Sequence, residues 1–181
     1  MSLWVYVEGG GDQGSVKSAC RQAFRLFFEK IIPAGAFKVI ASGGRQRAFD
    51  NFCLALEQHA GDFVLLLVDS EDPVHTGNGT WAHLKRRDNW DRPQPATDDQ
   101  AHLMVQCMES WFLADRQLLA AYYGQGFLLN SLPGQADIEL IAKHDVFSRL
   151  QHASSGTPKG EYHKTAHGFD LLELIHPDRV R

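Results

Sequence analysis

The stretch FVLLLVDSED, residues 63–72, decides how the chain is expected to fold. Residues 63–68 form a continuous apolar run, which is typical of a strand covered on both faces in a parallel sheet. The run ends abruptly in Asp69, Glu71 and Asp72. Because parallel sheets form their sites beyond the carboxyl ends of the strands, these carboxylates are candidates for a functional role.

Segments with strand periodicity and segments with helix periodicity alternate around this run. Further strands are expected at 3–7, 37–41 and 102–108, and helices are expected to begin at Ser15, near Arg45 and at Ser110. Alternation of this kind predicts parallel β-α-β units with right-handed crossovers. We therefore expect an α/β fold, a Rossmann-like three-layer sandwich with a mainly parallel sheet of about four strands flanked by helices.

The chain is long enough to bury a hydrophobic core and fits one domain, so residues 1–181 are expected to fold together. The polar, proline- and glycine-containing segment 73–99 is expected to form a long excursion around a short helix after Thr80. The C-terminal part, 135–181, is expected to be mainly helical, at 135–150 and 168–175.

The composition limits the class of function and the cellular location that we expect for this protein. The net charge is −4, so a nucleic-acid role needs a local basic patch or a metal bridge to phosphate. The three cysteines, Cys20, Cys53 and Cys107, lie in apolar segments and are expected to be free thiols in a reducing compartment. No signal peptide or membrane-length apolar run is evident, so we expect a cytoplasmic protein without membrane association.

Carboxylate side chains follow three of the predicted strands. Glu8 follows the first strand, Asp69, Glu71 and Asp72 follow the third, and Glu109 follows the fourth. The ends of parallel strands share one rim, and a group of like charges is costly unless a cation compensates it. Oxygen ligands suit Mg²⁺, or Mn²⁺, so the group predicts a metal site. For any one of these carboxylates taken singly, a solvated loop residue or a helix cap is the favoured interpretation.

Glycine-rich turns follow the first two predicted strands. The turn GGGDQG at 9–14 fits the pattern GxGxxG between a strand and a helix, which can hold phosphate at a helix N-terminus. The candidate phosphate- or substrate-binding residues in these turns are Gly9, Gly10, Gly11, Gly43, Gly44 and Arg45. A nucleotide- or NADP-binding domain is one alternative, with Arg45 on the 2′-phosphate. A tight turn that merely requires positive φ is the structural alternative.

Basic residues are expected near the same rim. Arg45, Arg47 and Lys17 can bind substrate phosphates there, or can simply be solvated. Lys164 lies in a polar loop at 154–164, from which it can fold over the acidic group and stabilise a leaving phosphate. An exposed Lys164 without a role is the other interpretation.

The strand endings resemble the Toprim fold, which topoisomerases, bacterial primases, recombination factors and nucleases of the overcoming-lysogenization-defect type share. The sequence resembles more closely a family of small bacterial Toprim-like proteins of unknown function, domain-of-unknown-function family 4276, linked to phage defence. The segments that carry this resemblance are Val7-Glu8-Gly9, Gly43-Gly44, Leu67-Val68-Asp69, the block MESWFLAD at 108–115 and Lys164-x-x-His167-Gly168.

The resemblance implies a Mg²⁺-dependent nuclease acting on DNA or RNA. It implies that Glu8 is the general acid or base or a ligand, and that Asp69 and Glu71 hold the metal. Glu71 then replaces the second aspartate of the usual Asp-x-Asp pair, or Asp72 supplies it in a shifted register, and Glu109 adds a ligand. A non-catalytic regulatory subunit that binds a partner protein in a defence complex is a further alternative, and the oligomeric state is left open.

Overall fold

The computed structural model describes residues 2–75, 77 and 79–180, and its centre is a parallel sheet of four strands. The strands are β1 (Leu3–Val7), β2 (Phe37–Ala41), β3 (Phe63–Asp69) and β4 (Ala101–Met104). Their order across the sheet is β2-β1-β3-β4, and every neighbouring pair is parallel. This arrangement, flanked by helices, confirms the predicted α/β fold class.

Helices cover both faces of the sheet. The α-helices are α1 (Gly14–Glu29), α2 (Arg45–Gln58), α3 (Thr80–Asp88), α4 (Arg116–Tyr123), α5 (Lys143–Ser154) and α6 (Phe169–Leu174). Short 3₁₀ segments lie at Asp98–Gln100, Met108–Ala114, Leu129–Ser131, Ile138–Leu140 and Pro177–Arg179, and a π-helical turn lies at Lys164–Gly168. No helix in the described part of the chain is long and apolar enough to cross a bilayer.

Two hydrophobic clusters make the layers on either side of the sheet. On one face, Leu67 of β3 packs with buried residues of α1, α5 and α6. On the other face, Leu66 and Val68 pack with α2 and α3. Both sets of side chains in β3 are thus covered, which explains why this strand is apolar throughout.

The connections create a switch point between β1 and β3. The chain crosses from β1 to β2 through α1, and returns past β1 to β3 through α2. Because crossovers are right-handed, reversing the direction places α1 and α2 on opposite faces. The loops after β1 and β3 therefore diverge and leave a crevice at the carboxyl ends of these neighbouring strands, which is where α/β sheets bind ligands.

The chain after β4 differs from the sequence prediction. The strand ends at Met104 and not at residue 108, and Ser110 lies within a 3₁₀ helix instead of capping an α-helix. The Asp69 carboxylate accepts the backbone N–H of Met108 at 2.8 Å, which turns the chain into that 3₁₀ helix. Glu109 therefore lies on a helical turn and not at a strand end.

The C-terminal part is less helical than predicted. The helix expected at 135–150 begins only at Lys143, and a single 3₁₀ turn at Ile138–Leu140 precedes it. The Asp137 side chain accepts the N–H of Glu139, a local bond that competes with α-helix formation. The helix expected at 168–175 is present as α6, and the π-helical turn leads into it.

Candidate active site at the carboxyl edge of the sheet

A cavity of about 500 Å³ opens at the switch point between β1 and β3. Glu8 follows β1 directly, and its N–H donates to the carbonyl of Leu67 in β3 at 3.1 Å. Asp69 is the last residue of β3. Glu8, Asp69 and Lys164 all line the cavity, so residues far apart in sequence meet there as the parallel sheet requires.

The remaining wall of the cavity combines a glycine turn with apolar side chains. The other lining residues are Gly9, Gly10, Gly11, Asp12, Gln13, Val16, Cys20, Phe24, Gly43, Met104, Met108, Thr165 and Phe169. A few polar groups on a mainly apolar wall are typical of a site that binds a small molecule or one unit of a polymer.

Asp69 is the most strongly perturbed carboxylate of the site. It is 4% exposed, and its Oδ2 lies 3.4 Å from Lys143 Nζ. Burial raises the pKa of Asp69 from 3.8 to about 7, with further raising by the Glu109 and Glu8 carboxylates and opposition from Lys164 and Lys143. A carboxyl group with such a pKa, in a cleft and among other charges, is characteristic of functional sites.

Glu109 is fully buried and incompletely hydrogen-bonded. Its Oε1 accepts the hydroxyl of Tyr162 at 3.1 Å and lies 3.5 Å from Lys164 Nζ. Its Oε2 has no hydrogen-bond partner among the described residues. A buried carboxylate oxygen without a partner is costly, so Glu109 has free capacity to bind a ligand beside Lys164.

Two ammonium groups compensate these carboxylates. Lys143 Nζ donates to Glu71 Oε1 at 2.7 Å, and so holds Glu71 beside Asp69. Burial lowers the pKa of Lys164, but Glu109 and Asp69 outweigh it and raise the pKa above its ordinary value. Burial is outweighed in the same way at Lys143, whose pKa is raised by Glu71 and Asp69. Both lysines are therefore cations at neutral pH.

Arg45 holds Glu8 in position. Its Nη1 donates to Glu8 Oε2 at 2.9 Å and to the backbone carbonyl of Asp69. Its Nε and Nη2 form a two-pronged contact with the Asp88 carboxylate at 2.8 and 2.7 Å. The sequence predicts phosphate binding by Arg45, but each of its side-chain nitrogens already donates within the protein. This geometry favours a role in orienting Glu8.

Asp72 lies apart from the cavity. Its side chain is 68% exposed, and the nearest cation is Arg87 at 3.6 Å. Glu71 does not line the cavity either, although it shares Lys143 with Asp69. Glu109 is also absent from the cavity lining, but its Oε1 lies 3.5 Å from the ammonium of Lys164, which lines the cavity together with Asp69.

The two glycine turns bind each other. Gly9 donates to the carbonyl of Gly43 at 2.9 Å, and Gly43 donates to the carbonyl of Gly9 at 3.0 Å. These two amides are thus engaged within the protein, and the remaining glycines of the turns supply any backbone contact to phosphate. Gly43 has φ +86, and a Cβ there would lie 2.6 Å from the carbonyl oxygen of Gly11.

Replacing Gly43 by alanine should therefore destabilise the protein. Positive φ and the contact with the Gly11 carbonyl together are expected to lower the free energy of unfolding by about 2–4 kcal/mol. The matched control is Gly14→Ala, because a Cβ at Gly14 meets nothing within 4 Å. Urea unfolding should show loss of stability for Gly43→Ala only, and equal stabilities would contradict the close packing of the turns.

The carboxylate oxygens of the site are ligands of the type that a hard divalent cation prefers. In this structure, lysine ammonium groups compensate their negative charge. The oxygen donors of Asp69 and Glu109 suit Mg²⁺, and Glu109 Oε2 is unsatisfied. Within residues 2–75, 77 and 79–180, no group of three or more His, Cys, Asp or Glu side chains is already arranged to hold a metal ion. The donor set therefore fits a cation in type, and Lys143 and Lys164 supply the positive charge in this arrangement.

Three residues of the site cannot be predicted from the sequence. Lys143 lies 74 positions from Asp69, and Tyr162 lies 53 positions from Glu109. Asp88, which anchors Arg45, ends α3 inside the polar excursion. No local pattern marks them, since each acts only through a contact made by the folded chain.

The raised pKa of Asp69 predicts a pH-dependent stability of the metal-free protein. An unfolded Asp69 loses its proton near pH 3.8 and the folded one near pH 7, so between these values the folded state binds more protons. Stability from this group is therefore lost as the pH rises from about 4 to about 7. Asp69→Asn has no titrating group at this position and does not lose this stability. The free energy of unfolding of the variant minus that of wild type should therefore be higher at pH 8 than at pH 4.5, by a few kcal/mol.

Urea unfolding with EDTA at the two pH values measures this difference. Asp98→Asn is the control, because the Asp98 side chain is 83% exposed. A stability difference between Asp69→Asn and wild type that does not change with pH would contradict the raised pKa.

The fold and the site together define an α/β protein with an acidic, lysine-compensated cavity at the switch point of a parallel sheet. The sequence model of the family described as "Domain of unknown function (DUF4276)" matches residues 7–181. The chain belongs to this family. Comparison with curated proteins and with solved structures gives no match.

Proposed function

We propose that this protein is a Mg²⁺-dependent phosphoryl-transfer enzyme, a nuclease that cleaves nucleic-acid phosphodiesters. The observation that carries the proposal is Glu109, a fully buried carboxylate with one oxygen unsatisfied, next to Lys164 and within the electrostatic reach of Asp69. Burying acidic groups together is costly unless a cation completes the site. The resemblance to Toprim nucleases supports the same reaction class and suggests a setting in phage defence.

Asp69 and Glu109 are the residues that would hold the cation. When bound, Mg²⁺ polarises a phosphoryl oxygen and lowers the pKa of a coordinated water. Glu71 lies beside Asp69, with which it shares Lys143, and is the next candidate ligand. Asp72, exposed and directed to Arg87, has the weakest support of the predicted ligands.

Glu8 and Lys164 supply the remaining chemistry. Arg45 fixes the Glu8 carboxylate at the cavity, where it can take a proton from the attacking water. The ammonium of Lys164 lines the same cavity and can neutralise charge that develops on the phosphate. The apolar wall beside Phe24 and Phe169 can accommodate a base or sugar.

The second candidate function is that of a non-catalytic subunit of a defence complex. Lys143 and Lys164 already compensate the acidic residues, an arrangement that can hold a fold without any metal. The nucleotide- or NADP-binding alternative has weaker support. Arg45 is held by Glu8 and Asp88, and the amides of Gly9 and Gly43 bind each other.

Incubation of purified protein with nucleic acids tests the proposal. Single- and double-stranded DNA and RNA are each offered with Mg²⁺, with Mn²⁺ or with EDTA. The proposal expects cleavage of at least one substrate with metal only, with loss in Glu8→Gln and Asp69→Asn and retention in Asp98→Asn. Cleavage that survives both substitutions overturns the roles. No turnover on any substrate, together with a partner recovered in pulldowns, favours the non-catalytic subunit.

A further inference from the structure

A row of basic residues runs along α1 away from the cavity. Lys17, Arg21 and Arg25 follow one another at intervals of four, so they lie on one side of the helix, about 6 Å apart along its axis. The row starts at the cavity, because Lys17 packs against Gly10 and Gly43 of its rim. Arg21 and Arg25 are exposed.

The row leads into a second cavity at the open edge of the sheet. This cavity, of about 390 Å³, lies beside the edge strand β2 and is lined by Arg21, Arg25, Lys38 and Trp4. Lys38 Nζ lies 4.2 Å from the centre of the Trp4 ring. The Trp4 ring also stacks on His59, and its Nε1–H donates to Asp62 at 3.0 Å. Among the described residues that line this cavity, none is a carboxylate.

We infer that Lys17, Arg21, Arg25 and Lys38, named here the basic track, bind the sugar–phosphate backbone of a nucleic acid whose reactive phosphodiester lies in the active-site cavity. The place of the reactive group rests on the proposed function. A regular row of cations suits a polymer with regularly spaced anions. The chain as a whole has a net charge of −4, so this concentration of positive charge is local.

The existing partners of the track leave its charges accessible. Arg25 pairs with Glu29 one helical turn away, on the exposed side of α1. Such an exposed pair contributes little, so a phosphate can take its place. An acidic polypeptide is the other polyanion that the track could attract. Nucleic acid is favoured because the track begins at the rim of a cavity built from Glu8, Asp69 and Lys164.

Binding in EDTA tests the inference without any dependence on cleavage. A short fluorescently labelled single-stranded oligonucleotide is titrated by anisotropy at several NaCl concentrations. The track variant combines Arg21→Gln, Arg25→Gln and Lys38→Gln. The matched control removes the same charge elsewhere on the surface, through Lys85→Gln, Arg92→Gln and Arg149→Gln. Circular dichroism and thermal unfolding establish that both variants are folded.

The track variant should bind about tenfold more weakly or worse, and its slope of log K against log [NaCl] should be smaller by about 2, since three phosphate contacts are lost. The control should bind like wild type. Equal weakening in both variants, no binding by wild type, or tighter binding of polyglutamate than of the oligonucleotide would overturn the inference. Track-dependent binding without cleavage under any metal would leave the binding surface standing and remove the proposed catalytic function.

Discussion

Replacing Glu109 by glutamine is expected to lower metal-dependent cleavage at least about a thousandfold. Glutamine keeps the shape and can still accept the hydroxyl of Tyr162, but it loses the charge that would hold the cation. The measurement is initial cleavage rate at saturating Mg²⁺, together with Mn²⁺ affinity by calorimetry. Both should fall, because a ligand is lost.

The fold should survive this substitution. Lys164 is 46% exposed and is solvated when its partner becomes neutral. Removing a buried charge with an unsatisfied oxygen also relieves a desolvation cost. Glu57→Gln, on the exposed side of α2, is the matched control and should cleave like wild type. Full activity of Glu109→Gln would exclude Glu109 as a ligand.

Lys164→Gln is expected to separate catalysis from cation binding. Loss of the ammonium that faces the phosphate should lower kcat about 100-fold. The same ammonium competes with a cation for Glu109, from which it lies 3.5 Å away. Affinity for Mn²⁺ should therefore rise in the variant while the rate falls, a combination that simple unfolding does not produce.

Lys159→Gln provides the control for this experiment. Lys159 is exposed in the same part of the chain and lies over the ring of Tyr122, away from the carboxylates. The Lys159→Gln substitution should change neither the cleavage rate nor the affinity for Mn²⁺. If Lys164→Gln lowered both together, Lys164 would support the structure of the site instead of the reaction.

The sheet and the meeting of Glu8 with Asp69 are predictable from sequence. The apolar run 63–68 and the short strands before it have strong periodicity, and β1, β2 and β3 begin where the sequence predicts. Once the sheet is parallel, residues that end neighbouring strands must lie on one rim. The adjacency of Glu8 and Asp69 follows from that argument alone.

The charge pairing of the site is not predictable in this way. Arg45 follows a glycine turn, and this position suggests phosphate binding. Its guanidinium instead donates to the carboxylate of Asp88, which lies 43 residues further along the chain. Lys143 reaches Asp69 and Glu71 from the start of α5, a position that local propensity does not mark. Periodicity reports which face of an element is buried, while these contacts depend on how distant elements dock.

The most direct measurement is anomalous diffraction from crystals soaked in Mn²⁺. We predict a manganese peak in direct coordination with carboxylate oxygens of Asp69 and Glu109, with the ammonium of Lys164 moved from Glu109 toward the cavity. A structure in which Lys143 and Lys164 keep their carboxylate partners, and manganese binds elsewhere or nowhere, would contradict it.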